Sequence, residues 1–264
     1  MKRIEDTLWQ VEERRKRRLK EQFPSSYVAP KQKSNGVDSR IVAISDPESY
    51  ISEEYRSLRT IILSLSSEKK LKKLLITSSG YREGKTITAI NLAATLSQSS
   101  DDLKVLLLDC DLRRSSIHHY CGLKRSPGLF EILTDGLSLR DVLQKTKMAN
   151  LRIISSGKTT RNPSELLGSS RMITLLNELE RIYDFIIIDT PPIISVTDAA
   201  VVGSLVDGAI MVVRSRYTQR EKVSHAESIL NQAGVNLIGF ILTNVKYYLP
   251  KFLYRYLHYR DYSG

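Results

Sequence analysis

The sequence predicts an α/β fold with a mostly parallel central sheet and helices on both faces. Short apolar runs alternate with segments of helical periodicity, and several runs end in Asp or lead into a glycine-containing loop. Apolar runs without polar alternation belong to strands buried on both faces, as in parallel sheets covered by helices. Runs 74–78, 105–109, 185–189, 208–214 and 237–242 have this character. Helical patterns at 85–99, 127–135, 138–145, 169–182 and 218–233 separate most of them. Before the first strand, residues 47–65 read as a helix: Tyr55, Leu58, Ile61 and Ile62 fall at helical spacing, and Ser45 or Asp46 can cap it. Residues 4–22 read as a highly charged helix with a thin stripe of Ile4, Leu8, Val11 and Leu19. Residues 23–40, with Pro24, Ser25, Ser26, Pro30, Ser34 and Gly36, read as a linker. The expected organisation is a basic extension over 1–40, one domain over 41–245 and a tyrosine-rich tail over 246–264.

A chain of 264 residues allows one large α/β domain or two small ones. Its 41% apolar and 26% charged residues are ordinary for a globular protein. No apolar run approaches the roughly 20 residues that span a bilayer. No apolar stretch follows the basic start Met1-Lys2-Arg3, so a cytoplasmic location is expected. Cys110 and Cys121 lack metal-ligand spacing and are expected to be reduced residues in or near the core. The net charge of +11 is uneven, with ten Lys/Arg against five Asp/Glu in residues 1–33. Solvated ends, a membrane face and an acidic partner are all compatible with it.

Three motifs carry chemistry, all at strand carboxyl ends, where such sheets bind ligands. Ser79-Gly80-Tyr81-Arg82-Glu83-Gly84-Lys85-Thr86 follows the first strand and opens a helix. It matches the P-loop pattern, with Ser79 at the first glycine position. Loop amides and the helix N-terminus can cradle phosphate, Lys85 can neutralise it, and the Thr86 hydroxyl can ligate Mg²⁺. The second motif, Asp109-Cys110-Asp111, ends the next strand with two carboxylates on one side of an extended chain. Both can face a metal or a nucleophile, or cap a helix and pair with Arg113 or Arg114. The third, Ile186-Ile187-Ile188-Asp189-Thr190-Pro191-Pro192, matches a strand whose terminal carboxylate holds Mg²⁺. Asp198 beyond it supports the site or caps a helix. ATP and Mg²⁺ are therefore the expected cofactors, in a P-loop NTPase fold.

The order of these motifs resembles the bacterial tyrosine kinases of capsule and exopolysaccharide systems, within the deviant-Walker-A group that also holds the MinD/ParA ATPases. The resemblance covers roughly residues 45–262. Asp109-Cys110-Asp111-Leu112-Arg113 is similar to the family's Walker A′, and Ile188-Asp189-Thr190-Pro191-Pro192 to its Walker B. Glu53, Arg56 and Arg59 match its E-x-x-R-x-x-R helix, implicated in ring-shaped oligomers. Their spacing of three forms a slanted stripe on one helix face. Tyr247, Tyr248, Tyr254, Tyr256, Tyr259 and Tyr262 look like the C-terminal cluster that neighbouring subunits phosphorylate in trans. The resemblance implies transfer of the γ-phosphoryl group of ATP to tyrosine. Lys85, Asp109, Asp111 and Asp189 would be catalytic, and Thr86, Asp109 and Asp189 would lie at the metal. Residues 79–86 and Asn244 would contact ATP, Asn244 either at the adenine or as a turn residue. Asp111 is the preferred base for the tyrosine hydroxyl, though Asp109 and Asp111 could exchange roles. The split form of the family implies a partner, the cytoplasmic tail of a membrane protein. The family often carries Pro-Gly at the positions of Tyr81-Arg82, and Pro at that of Ser115.

Two other readings stay open. A MinD/ParA-like positioning ATPase shares the fold, but its signature Lys, five residues before the P-loop Lys, is Gly80 here. A non-catalytic scaffold coupling polymer synthesis to export is the other. No nucleic acid is expected as a partner.

Overall fold

The computed structural model describes residues 36–245; the charged helix at 4–22 and the tyrosine tail lie outside the described residues. Among the described residues, seven strands form one sheet in the order β3-β4-β2-β5-β1-β6-β7. They are β1 (Lys73–Ser78), β2 (Val105–Asp109), β3 (Gln144–Lys145), β4 (Leu151–Ile154), β5 (Phe185–Asp189), β6 (Gly208–Arg214) and β7 (Leu237–Thr243). All neighbours pair parallel except β3 with β4.

The central strands β1, β2 and β5 are buried along their whole length, which explains why they read as continuous apolar runs. Their side chains still alternate between two cores. Leu75, Leu106, Leu108, Ile186 and Ile188 face one side; Leu74, Ile76, Leu107, Phe185 and Ile187 face the other. The second core is covered by α1 (Val42–Ser45), α2 (Tyr50–Lys69), α3 (Lys85–Ser97) and α4 (Ile117–Cys121). The first is covered by α5 (Leu129–Asp135), α6 (Leu139–Val142), α7 (Pro163–Leu167), α8 (Ser170–Ile182), α9 (Asp198–Gly203) and α10 (Arg220–Gln232). Helix α3 carries apolar or small residues nearly all round and is buried over most of its length.

The structure corrects several expectations. The helix at 138–145 is only Leu139–Val142, because Gln144 and Lys145 pair with Ile153 and Arg152 as β3. Strand β4 is new; its four residues sit in a sequence too short to show a period. Helix α2 begins at Tyr50, capped by the Ser49 hydroxyl, which accepts the Ser52 amide at 3.2 Å. Ser45 ends α1, and Asp46 closes it as the C-cap. Packing also starts before residue 41: Val37 is buried and the Asp38 amide donates to the Tyr120 carbonyl. Among the described residues no helix is long and apolar enough to cross a membrane.

Parallel pairing puts the ends of β1, β2, β5 and β6 on one edge. Chain order reverses at β1: α3 carries the chain across β5 to β2, while β6 returns to the opposite side of β1. The crevice at such a reversal is where doubly wound sheets bind ligands.

Candidate active site

The loop after β1, the end of β2 and the end of β5 meet at this crevice. Asp109 and Asp189 are register neighbours across β2 and β5. Lys85, first residue of α3, sends its ammonium to Asp111 Oδ2 at 3.1 Å and Asp189 Oδ1 at 3.4 Å. The Thr86 hydroxyl donates to Asp189 Oδ2 at 2.7 Å. Four of the expected site residues thus converge directly. Asp109 stands one step behind them. It accepts the Asp111 amide at 3.1 Å and the Ser115 hydroxyl at 2.9 Å. Asp111 in turn accepts the Arg114 amide at 2.9 Å, so the Asp-x-Asp segment is a turn held by its own carboxylates.

Burial, with Asp189 beside it, pushes the Asp109 carboxyl up to about 8, although the Ser115 bond pulls it down. Burial also raises Asp189, opposed by Lys85 and the Thr86 bond. Burial disfavours the Lys85 ammonium, yet Asp189 and Asp111 hold its pKa above the usual value. Asp109, Asp111 and Asp189 are 0%, 3% and 1% exposed. Asp111 and Asp189 face one lysine, with Asp109 buried behind them, a carboxyl-rich set that suits a divalent cation. Among the described residues no three His, Cys, Asp or Glu groups could hold a metal unaided.

The P-loop is shaped from behind. Glu83 turns inward, accepting the Ser79 amide (3.1 Å), the Ser79 hydroxyl (2.7 Å) and the Thr218 hydroxyl (2.9 Å). The Ser79 amide is therefore committed to Glu83 rather than offered to phosphate. Thr243, ending β7, donates its hydroxyl to the Glu83 carbonyl at 2.7 Å. Gly84 has φ +98°, and a Cβ there would stand 3.3 Å from Thr243 Cγ2. Arg82 adopts φ +63°, a left-handed conformation that strains a residue with a Cβ. The resemblance places Gly at that position; here Arg214 donates to the Arg82 carbonyl at 3.2 Å.

The chain's likeness to known proteins can be set beside this geometry. The family model described as AAA domain matches residues 80–226. Tyrosine-protein kinase YwqD of Bacillus subtilis (strain 168) is 35% identical over 216 residues, covering 82% of this chain and 90% of that one. The chain belongs to the bacterial tyrosine kinase family. The kinase domain of the Escherichia coli tyrosine kinase ETK superposes with a TM-score of 0.75 at 32% identity, over 84% of this chain and 87% of that chain. The chimerical protein CapA2B2 also gives 0.75, at 30% identity, over 79% and 91%.

Other expected residues of this family member fall as follows. Arg56 pairs with Glu53 on its own helix and donates to the Pro47 carbonyl, while Arg59 reaches the Thr95 carbonyl of α3 at 3.1 Å. Asn244 follows β7 in a left-handed turn, φ +55°. Asp198 is no cap: it is fully buried and receives Arg113 Nε at 2.8 Å and Nη2 at 3.1 Å, bracing the segment after Asp111. Burial raises both thiols, Cys121 to about 12. Sequence reasoning missed Ser115, Thr218 and Thr243 as site supports. Thr243 had a signal, a hydroxyl at a strand carboxyl end; Thr218 had none.

Proposed function

We propose that this chain is a Mg²⁺- and ATP-dependent tyrosine autokinase whose acceptors are Tyr247, Tyr248, Tyr254, Tyr256, Tyr259 and Tyr262 of a neighbouring copy. The observation that carries the reading is Lys85 seated between Asp111 and Asp189, beside a P-loop and a hydroxyl at Asp189. Lys85 and the loop amides hold the phosphates and stabilise the charge of the transferring group. Asp111 accepts the tyrosine hydroxyl proton. Asp109 orients Asp111 through its amide. Thr86 and Asp189 would hold Mg²⁺, with Asp109 near it; the ion, when bound, neutralises phosphate charge. Phosphoryl transfer needs mainly positioning and electrostatics, which this set supplies.

Glu53, Arg56 and Arg59 would pair with a neighbour in a homo-oligomer, a ring by resemblance. Each phosphate adds about −1.5 to −2 charges to the tail. Several would reverse its positive balance and favour dissociation. By resemblance to the split form of the family, the cytoplasmic tail of a membrane partner would recruit the kinase to the inner membrane face for capsule or exopolysaccharide synthesis. Gly80, in place of the signature Lys, speaks against a MinD/ParA-like switch.

The test is phosphotyrosine mapping after incubation with Mg²⁺-ATP, with and without an activator tail. Phosphate on residues 247–262, removed by six Tyr→Phe changes, supports the reading. ATP hydrolysed to ADP with no phosphotyrosine, even with activator, would replace it with the ATPase switch.

A further inference from the structure

Thirteen tyrosines are present, and four of them directly precede an arginine: Tyr55, Tyr81, Tyr254 and Tyr259. Two of the four belong to the proposed acceptor cluster. Of the other two, Tyr55 is unsuitable, because burial raises its hydroxyl. Tyr81 is different. It is 40% exposed in the P-loop, between the buried residues Ser79 and Glu83. The Arg114 guanidinium lies over its ring at 4.6 Å, while the neighbouring Arg113 is paired with Asp198. Arg82 is adjacent in sequence, and Arg114 is the arginine that contacts the ring. A guanidinium so placed can turn to a phosphate on the ring and hold it through charge-assisted hydrogen bonds.

We propose that Tyr81 is a further phosphoacceptor, modified by another copy of this chain, and that its phosphate closes the nucleotide site. This rests on the tyrosine-kinase reading above. The acting copy must be another one. In-line transfer requires the acceptor oxygen opposite the leaving β-phosphate. A P-loop cradles the β-phosphate of the nucleotide it binds, so a tyrosine within it would stand on the leaving-group side. In the reaction, the bond from the γ-phosphorus to the bridging oxygen of ATP breaks, and that oxygen leaves with ADP. A bond from phosphorus to the Tyr81 phenolic oxygen forms, and the phenol proton passes to Asp111 of the acting copy. The product places about −1.5 to −2 charges beside the phosphate cradle, where they repel an incoming nucleotide. It also gives Arg114 a partner that holds the ring across the cleft between the P-loop and the Asp111 turn.

The test mixes the unlabelled full chain with an isotope-labelled Lys85→Met full chain, which can act only as acceptor. Mg²⁺-ATP and activator tail are added, and tryptic peptides of the labelled chain are read by mass. The expected result is one phosphate on peptide 74–82 as well as on tail peptides. Phosphate on the tail with none on 74–82 would overturn the Tyr81 proposal and leave the kinase reading intact. No phosphotyrosine anywhere would overturn both. The unlabelled chain phosphorylated at Tyr81 is then titrated with fluorescent ATP analogue beside a phosphatase-treated sample. Affinity at least tenfold weaker is expected, and equal affinity would overturn closure.

Discussion

Replacing Asp109 with Asn should stabilise the nucleotide-free, metal-free chain, increasingly so as pH rises. Asp109 is fully buried, with its carboxyl raised from 3.8 to about 8 by burial and then by Asp189. A carboxyl with a higher pKa in the folded chain binds its proton more tightly there. Its contribution to stability is complete below the unfolded value and is lost as pH rises through the folded one. The window is therefore about pH 4 to 8. The shift is roughly four units at 1.36 kcal/mol each, an upper bound of about 6 kcal/mol. Relaxation of the site and water entry reduce it, and about 2 kcal/mol is expected. Asn fits the hydrogen bonds: its carbonyl oxygen can accept the Asp111 amide, and its amide can donate to Ser115 Oγ. Thermal melts in EDTA from pH 4 to 9 should show an advantage that grows to about 4–8 °C by pH 8 and is level above it. The same gap at every pH, or none, would refute the argument that an uncompensated charge sits at Asp109.

Other substitutions separate the parts of the site. Lys85→Met should cost about 3 kcal/mol in nucleotide-free melts at pH 8, because it leaves Asp111 and Asp189 without their buried cation; an unchanged melt would contradict that pairing. Glu83→Ala should cost about 1–3 kcal/mol and weaken ATP binding roughly tenfold, since the Ser79 amide and two hydroxyls lose their acceptor. Full nucleotide affinity in a calorimetric titration would show that the rear brace does not shape the cradle. Arg82→Gly should relieve left-handed strain and change stability by no more than about 1 kcal/mol in either direction, strain relief being offset by chain entropy. A larger loss in a urea melt would assign the Arg82 side chain a packing role.

The part of the fold that positions the site was legible because it rests on burial. Strands β1, β2 and β5 are covered on both faces, so their sequences are continuous apolar runs, and a buried carboxylate at the end of β2 and of β5, Asp109 and Asp189, stands out where an apolar residue is expected. The edge was less legible. Gln144-Lys145 and Leu151-Arg152-Ile153-Ile154 are too short to show a period, and Gln144 is fixed by a distant contact, the Lys124 backbone. The site divided in the same way. Lys85, Thr86, Asp111 and Asp189 are set by local motifs, and they meet. The division of labour between Asp109 and Asp111 was open in sequence; the structure turns Asp111 to Lys85 and Asp109 to Ser115 and the Asp111 amide. Glu83 sits inside the P-loop motif, yet its inward turn depends on Thr218, 135 positions away. Asp198 reads equally well as a helix cap or a brace, and only the tertiary approach of Arg113 decides it.

The most direct test of the kinase assignment is the intact mass of the full chain after incubation with Mg²⁺-ATP and activator tail, beside a Lys85→Met control. Stepwise gains of one phosphate, absent from the control, are expected. An unchanged mass accompanied by ADP formation would contradict the assignment and leave an ATPase built on the same site.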